Sequence, residues 1–186
     1  SYVVMRGTVD VTGNYTFGTS VDGVLAITAR PVTLTSATDS KVYDGTALTN
    51  DTVTVTGAGF ASGEGADYTV TGSQLDVGSS ANSFDYTLTG GALAANYTIT
   101  KTEGTLTVTP ITDEIVITAD SDSKVYDGTA LTDSGYTYTD GILVAGDVLT
   151  AVVEGTITNV GTAANVVTSY VVMRGTVDVT GNYTFG

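Results

Sequence analysis

SFDYTLT, residues 83–89, places Phe84, Tyr86 and Leu88 at every second position, with Asp85, Thr87 and Thr89 between them. Successive side chains of an extended chain point to opposite faces, so this alternation builds one apolar and one polar face, the mark of a half-buried β-strand. The pattern recurs in VTLT at 32–35, TVTVT at 52–56, DYTVT at 67–71, NYTIT at 96–100 and TLTVT at 105–109. A second series follows in EIVIT at 114–118, GYTYT at 135–139, EGTIT at 154–158, SYVVM at 169–173 and TVDVT at 176–180. Gly, Asn and Asp break these runs about every ten residues, and no 3.6-residue apolar period is sustained. The reading is all-β: small antiparallel β-sandwich domains of Ig-like type, in series.

The series are related. DSKVYDGTALT occupies 39–49 and again 122–132, an offset of 83, and DVGSSAN at 76–82 answers NVGTAAN at 159–165. GVLAIT at 23–28 answers GTLTVT at 104–109, and SYVVMRGTVDVTGNYTFG stands unchanged at 1–18 and 169–186, an offset of 168. The units are therefore 1–28, the C-terminal part of a preceding B-type repeat; 29–110, a complete A-type repeat; and 111–186, a B-type repeat lacking its last strand. The chain reads as a window on a longer series of alternating A and B, a repeat architecture in which each unit touches its neighbours. That reading expects 1–18 to fold as 169–186 does, with another stretch of chain covering 1–28.

Composition excludes several functions. Six Lys plus Arg against twenty Asp plus Glu give a net charge of −14, which repels a phosphate backbone and makes nucleic acid a poor partner. The absence of His and Cys removes the commonest general base, thiolate metal sites and thiol nucleophiles. No run approaches the roughly 20 apolar residues of a membrane helix, so no membrane insertion is expected in this segment. No enzyme activity and no cofactor is expected.

Within KVYDGTAL, Asp-Gly supplies a turn, Tyr43 and Leu48 face the core, and Lys41 lies along the surface beside Asp44 and Gly45. Lys124, Tyr126, Asp127, Gly128 and Leu131 repeat the motif, and both tyrosines are expected to be buried at equivalent places. SKVYDGTAL, the Gly-rich stretch after it, DVGSSANSFDYTL, AANYTIT and the closing EGTLTVTP together resemble the YDG/MBG ("mostly β, glycine-rich") tandem repeats of large bacterial cell-surface, adhesin-like proteins. The resemblance covers all of A and, more loosely, B. It implies an extracellular, cell-surface or secreted location and carries no catalytic residue.

Three further constellations stand out in the sequence. Asn14, Asn50, Asn96 and Asn182 each begin an Asn-x-Thr sequon, a candidate glycosylation acceptor whose structural role is an Asn turn leading into a strand. Glu114, Asp120 and Asp122 are calcium candidates by their hard oxygen ligands, though their spacing matches no closed loop. Lys41 or Lys124 beside an Asn raises an isopeptide bond, which needs a buried lysine. The functional expectation is a structural repeat unit of an extracellular stalk or fibre, partnered by neighbouring identical repeats. The alternatives are an adhesive module for a glycan or protein ligand, for which Tyr136 and Tyr138 are the candidate contacts, and a secreted filament joined by β-strand exchange.

Overall fold

Thr, Val and Tyr in alternation favour pleated pairing, and the chain forms strands throughout. A computed structural model describes all residues 1–186. It contains seventeen strands, three short 3-10 turns and no α-helix. The tail pairs Met5–Arg6 (β1) with Val9–Asp10 (β2) ahead of a 3-10 turn at Thr12–Asn14.

Unit A contributes Arg30–Ser36 (β3), Asp39–Val42 (β4), Val53–Gly57 (β5), Gly65–Val70 (β6), Gly78–Asn82 (β7), Phe84–Thr89 (β8), Tyr97–Thr102 (β9) and Gly104–Thr109 (β10). They make a sheet β5-β3-β9, a sheet β4-β10-β7 and a pair β6-β8. Unit B contributes Glu114–Ile115 (β11), Ile117–Ala119 (β12), Tyr136–Tyr138 (β13), Asp147–Glu154 (β14), Val166–Arg174 (β15), Val177–Asp178 (β16) and Thr184–Phe185 (β17). Its pairings β11-β17, β12-β13 and β14-β15 stand where A has β3-β9, β3-β5 and β6-β8. Most pairs are antiparallel, as the sequence suggests. β3-β9, β4-β10 and β11-β17 are parallel, because each joins segments separated by a crossover through other strands.

The strand β10 explains the main difference between the units. It lies in the middle of its sheet, parallel to β4 with Leu106 opposite Asp39 and antiparallel to β7 with Leu106 opposite Ser80. In B the corresponding stretches, 122–125 and 161–165, are not strands. β10 must begin with glycine: a Cβ on Gly104 would fall on the Ala37 carbonyl oxygen, where the Gly104 N–H donates to Ser36 Oγ at 2.9 Å.

Two apolar clusters hold the chain. Val32, Leu34, Phe84 and Tyr97 form one inside A. The other crosses the unit boundary, joining Tyr43, Leu48, Leu106 and Val108 of A to Ile115, Leu149, Val172, Val179 and Tyr183 of B. Each large side chain fully buried here contributes about 1.5–3 kcal/mol.

One expectation is met and three are corrected. Tyr43 is buried (2% exposed) as expected, in the cluster that A shares with B. Tyr126 is 62% exposed: the stretch 122–125 leading into it is unpaired, whereas β4 carries Tyr43 in from a sheet. Tyr86, on the apolar stripe of SFDYTLT, is exposed while Phe84 is buried. The expected cover over 1–28 is not found within this single chain: Leu25 and Ile27 are fully exposed and 15–29 carry no strand.

The duplicated eighteen residues share one hairpin and 3-10 turn, although 169–172 and 184–185 are also strands where 1–4 and 16–17 are not. Val11 N–H donates to the Val4 carbonyl at 2.8 Å, and Val179 N–H to the Val172 carbonyl at 2.9 Å. Val4 and Val172 N–H donate to Thr12 and Thr180 Oγ1 at 2.9 and 2.8 Å. Tyr2 stacks on Phe17 as Tyr170 stacks on Phe185. The motif is thus specified by its own residues, with or without a unit packed against it.

Candidate functional site

The A–B junction is built on two charges that fall on core-facing positions of alternating strands. In β14, Asp147 shares a face with buried Leu149 and Val153; in β15, Arg174 shares a face with buried Val172. The Asp147 side chain is 0% exposed and takes Arg174 Nε at 2.7 Å and Nη2 at 3.2 Å. Tyr183 and Tyr43 hydroxyls also donate to Asp147 Oδ2, at 2.6 and 3.2 Å. Four donors on one carboxylate satisfy a charge that would otherwise be costly to bury. Burial, then the bond to Asp147, pushes the Tyr183 phenol far above its usual range, so it stays a donor.

Unit A closes over this network. Tyr43 meets Tyr183 edge-on with centroids 5.8 Å apart, and the Arg174 guanidinium lies 5.3 Å from the Tyr43 ring centroid. Arg174 Nη1 donates to the Gly45 carbonyl at 3.3 Å. Gly45 has φ +79°, and a Cβ there would stand 2.6 Å from Val144 Cγ1 and 2.7 Å from Arg174 Nη2. Beside it, Asn182 takes the Val77 N–H on Oδ1 at 2.7 Å and donates Nδ2 to Asp76 Oδ1 at 2.8 Å. Ile111 N–H donates to the Asn182 carbonyl at 3.0 Å.

The two YDGT turns are alike at the surface. Lys41 pairs with Asp44 at 2.7 Å, Lys124 with Asp127 at 3.0 Å, and neither lysine is paired with an Asn. Thr46 and Thr129 donate both N–H and hydroxyl to those aspartates. The Thr129 N–H first, then Lys124 and the Thr129 hydroxyl, hold the Asp127 carboxyl down to about 2, while Lys41 and Thr46 hold Asp44 well below its ordinary 3.8. A depressed folded-state value stabilises the charged turn above about pH 3.8 and loses that contribution as pH falls through about 2. Carboxyl carbon NMR should find the Asp127 midpoint near 2 and Lys124→Met should move it upward; a wild-type midpoint at 3.8 would contradict these bonds. Leu48 is buried and Leu131 half-buried, each in an isolated bridge, to Gln74 and Ile157.

The remaining sequence candidates are dispersed. Asn182 is corrected as a glycan acceptor, since its amide nitrogen is used inside the junction and the residue is buried. Asn50 donates its amide to Asp39 Oδ2 at 3.0 Å and accepts the Thr52 N–H, the expected Asn turn; Asn14 and Asn96 are exposed. Glu114, Asp120 and Asp122 are not gathered: no three acids of the chain converge on one point. Asp120 instead anchors backbone, its carbonyl taking Asn165 Nδ2 at 2.9 Å. Tyr136 packs on the shared cluster with its hydroxyl on the Leu149 carbonyl, while Tyr138 is exposed.

The far end of B carries a cleft of about 570 Å³ between 119–126 and 155–165. Ala119, Asp122, Lys124, Leu131, Ile157 and Ala163 are among its walls. These two walls are the counterparts, at an offset of 83, of the strands β4 and β7 that hold β10 in A. Neither Asp147 and Arg174 nor the cleft was legible from any motif; the available signal was a charge on the core face of an alternating strand.

No protein-family model, no curated protein and no solved structure matches this chain.

Proposed function

We propose that this chain is a structural repeat unit of an extracellular stalk or fibre, built as a tandem array of Ig-like β-sandwich repeats and performing no catalysis. The observation that carries the reading is the cluster shared across the A–B boundary, where Tyr43 and Gly45 of A bond to the Asp147–Arg174 pair of B. A junction of that kind fixes the angle between successive units, so length adds up along one direction instead of dissipating in hinges. The unchanged copies at 1–18 and 169–186 support a series in which the same step recurs. The acidic, Thr-rich surface keeps neighbouring rods apart. The resemblance to YDG/MBG repeats supports a place on a cell surface.

Small-angle scattering on polypeptides of one, two and three A-plus-B periods tests this. The maximum dimension is expected to grow in equal steps of about 60–80 Å per period. Steps that shrink with each added period, as for beads on flexible linkers, would overturn the stalk reading.

A further inference from the structure

Resting on that fibre reading, we propose that the cleft of B receives residues 19–28 of a second copy of this chain, inserted as a strand between 122–125 and 161–165. In A the equivalent place is filled by β10, with Leu106 and Val108 buried and Gly104 at its start. GVLAIT at 23–28 carries the same pattern, so that Gly23, Leu25 and Ile27 stand for Gly104, Leu106 and Val108. In the free chain Leu25 and Ile27 are fully exposed, two large apolar side chains on an unpaired segment. Transferring the A register puts Leu25 opposite Ala163 on one side and Asp122 on the other, and Ile27 opposite Gly161 and Lys124. The backbone groups of both walls and of the incoming strand are thereby paired, which is strand addition in its central, two-sided form.

A second, independent set of groups agrees. The A–B junction uses Tyr43, Asp76 and Val77 on one side and Asp147, Asn182 and Tyr183 on the other. Their counterparts at the open end of B are Tyr126, Asn159 and Val160, all exposed. Their counterparts at the free end of A are Glu64, Asn96 and Tyr97, where the Tyr97 hydroxyl already donates to Glu64. Residues 29–110 follow directly on 19–28, so the inserted strand delivers that end of the second copy onto Tyr126. The contact is head-to-tail and does not close on itself, so it propagates as a filament. Residues 1–18 of the incoming copy remain outside, since 169–186 of the recipient hold the equivalent place.

The test uses the full chain with Leu25→Asp plus Ile27→Asp, and separately with Gly23→Val, whose new side chain meets nothing in the free chain. Light scattering should show wild-type mass rising with concentration from 18.9 kDa. Both variants should stay at the monomer mass to concentrations at least about tenfold higher. A synthetic peptide of residues 19–28 should dissolve the wild-type oligomers and bind the monomeric variants, whose clefts are intact. Oligomers indifferent to the substitutions would overturn the proposal by placing the contact on another face. A wild-type chain that stays at the monomer mass yet captures the peptide would overturn the second copy as occupant, in favour of a segment continuing the same chain. Neither result bears on the scattering steps, so the stalk reading fails or stands separately.

Discussion

Asp147→Ala is expected to destabilise the chain by about 3–5 kcal/mol in urea denaturation, the range for breaking a buried ion pair by removing one partner. The substitution leaves Arg174 without its carboxylate and two buried tyrosine hydroxyls without an acceptor. Arg174 is 27% exposed and recovers some hydration, which argues for the lower part of that range. Asp147→Asn should cost less, because the amide oxygen still accepts from Tyr183. Replacing Asp147 and Arg174 together by Leu and Met should recover only the part due to the uncompensated guanidinium, since the Tyr43 and Tyr183 hydroxyls still lack an acceptor. A single Asp147→Ala loss below about 1 kcal/mol would show that the network contributes little to the junction.

Alternation made the strands legible, because a period of two is a local property that each segment carries unaided. Val32 and Leu34, or Leu106 and Val108, are buried where the pattern puts them. The repeats were legible for the same reason, and the duplicated segment shows local encoding at its clearest: Asp10 and Asp178 take the N–H of Thr12 and Thr180 alike, though only one copy lies against a neighbour. What the pattern did not reveal is non-local. Asp147 and Arg174 are 27 residues apart, and only β14-β15 pairing makes them adjacent. Charges at core parity in DVLTAVVE and SYVVMR were the trace they left, as was Glu64 ahead of Ala66, Tyr68 and Val70. Burial of Tyr43 and exposure of Tyr126 within identical eleven-residue stretches cannot be read from those stretches. It depends on what is packed beyond each.

That contrast gives the second large effect. Tyr43→Ala is expected to cost about 3–5 kcal/mol, as a large-to-small change in a closed core that also removes the contacts with Tyr183 and Arg174. Tyr126→Ala, identical in local sequence, should stay within about 0.5 kcal/mol in this chain, because its ring is 62% exposed. The two substitutions therefore separate local from junctional stabilisation without changing the residue type. If the proposed B-to-A step holds, the first Tyr126 in a polypeptide of two joined periods should meet the strand equivalent to 19–28 and the Glu64–Tyr97 end of the following A. Its substitution there should acquire a cost approaching that of Tyr43, read as a lowered urea midpoint at unchanged slope. If Tyr126→Ala remains neutral in the longer polypeptide, the B-to-A step is not built like the A-to-B step. The repeated unit would then alternate between sealed and open junctions, and its stiffness would reside in A–B pairs alone.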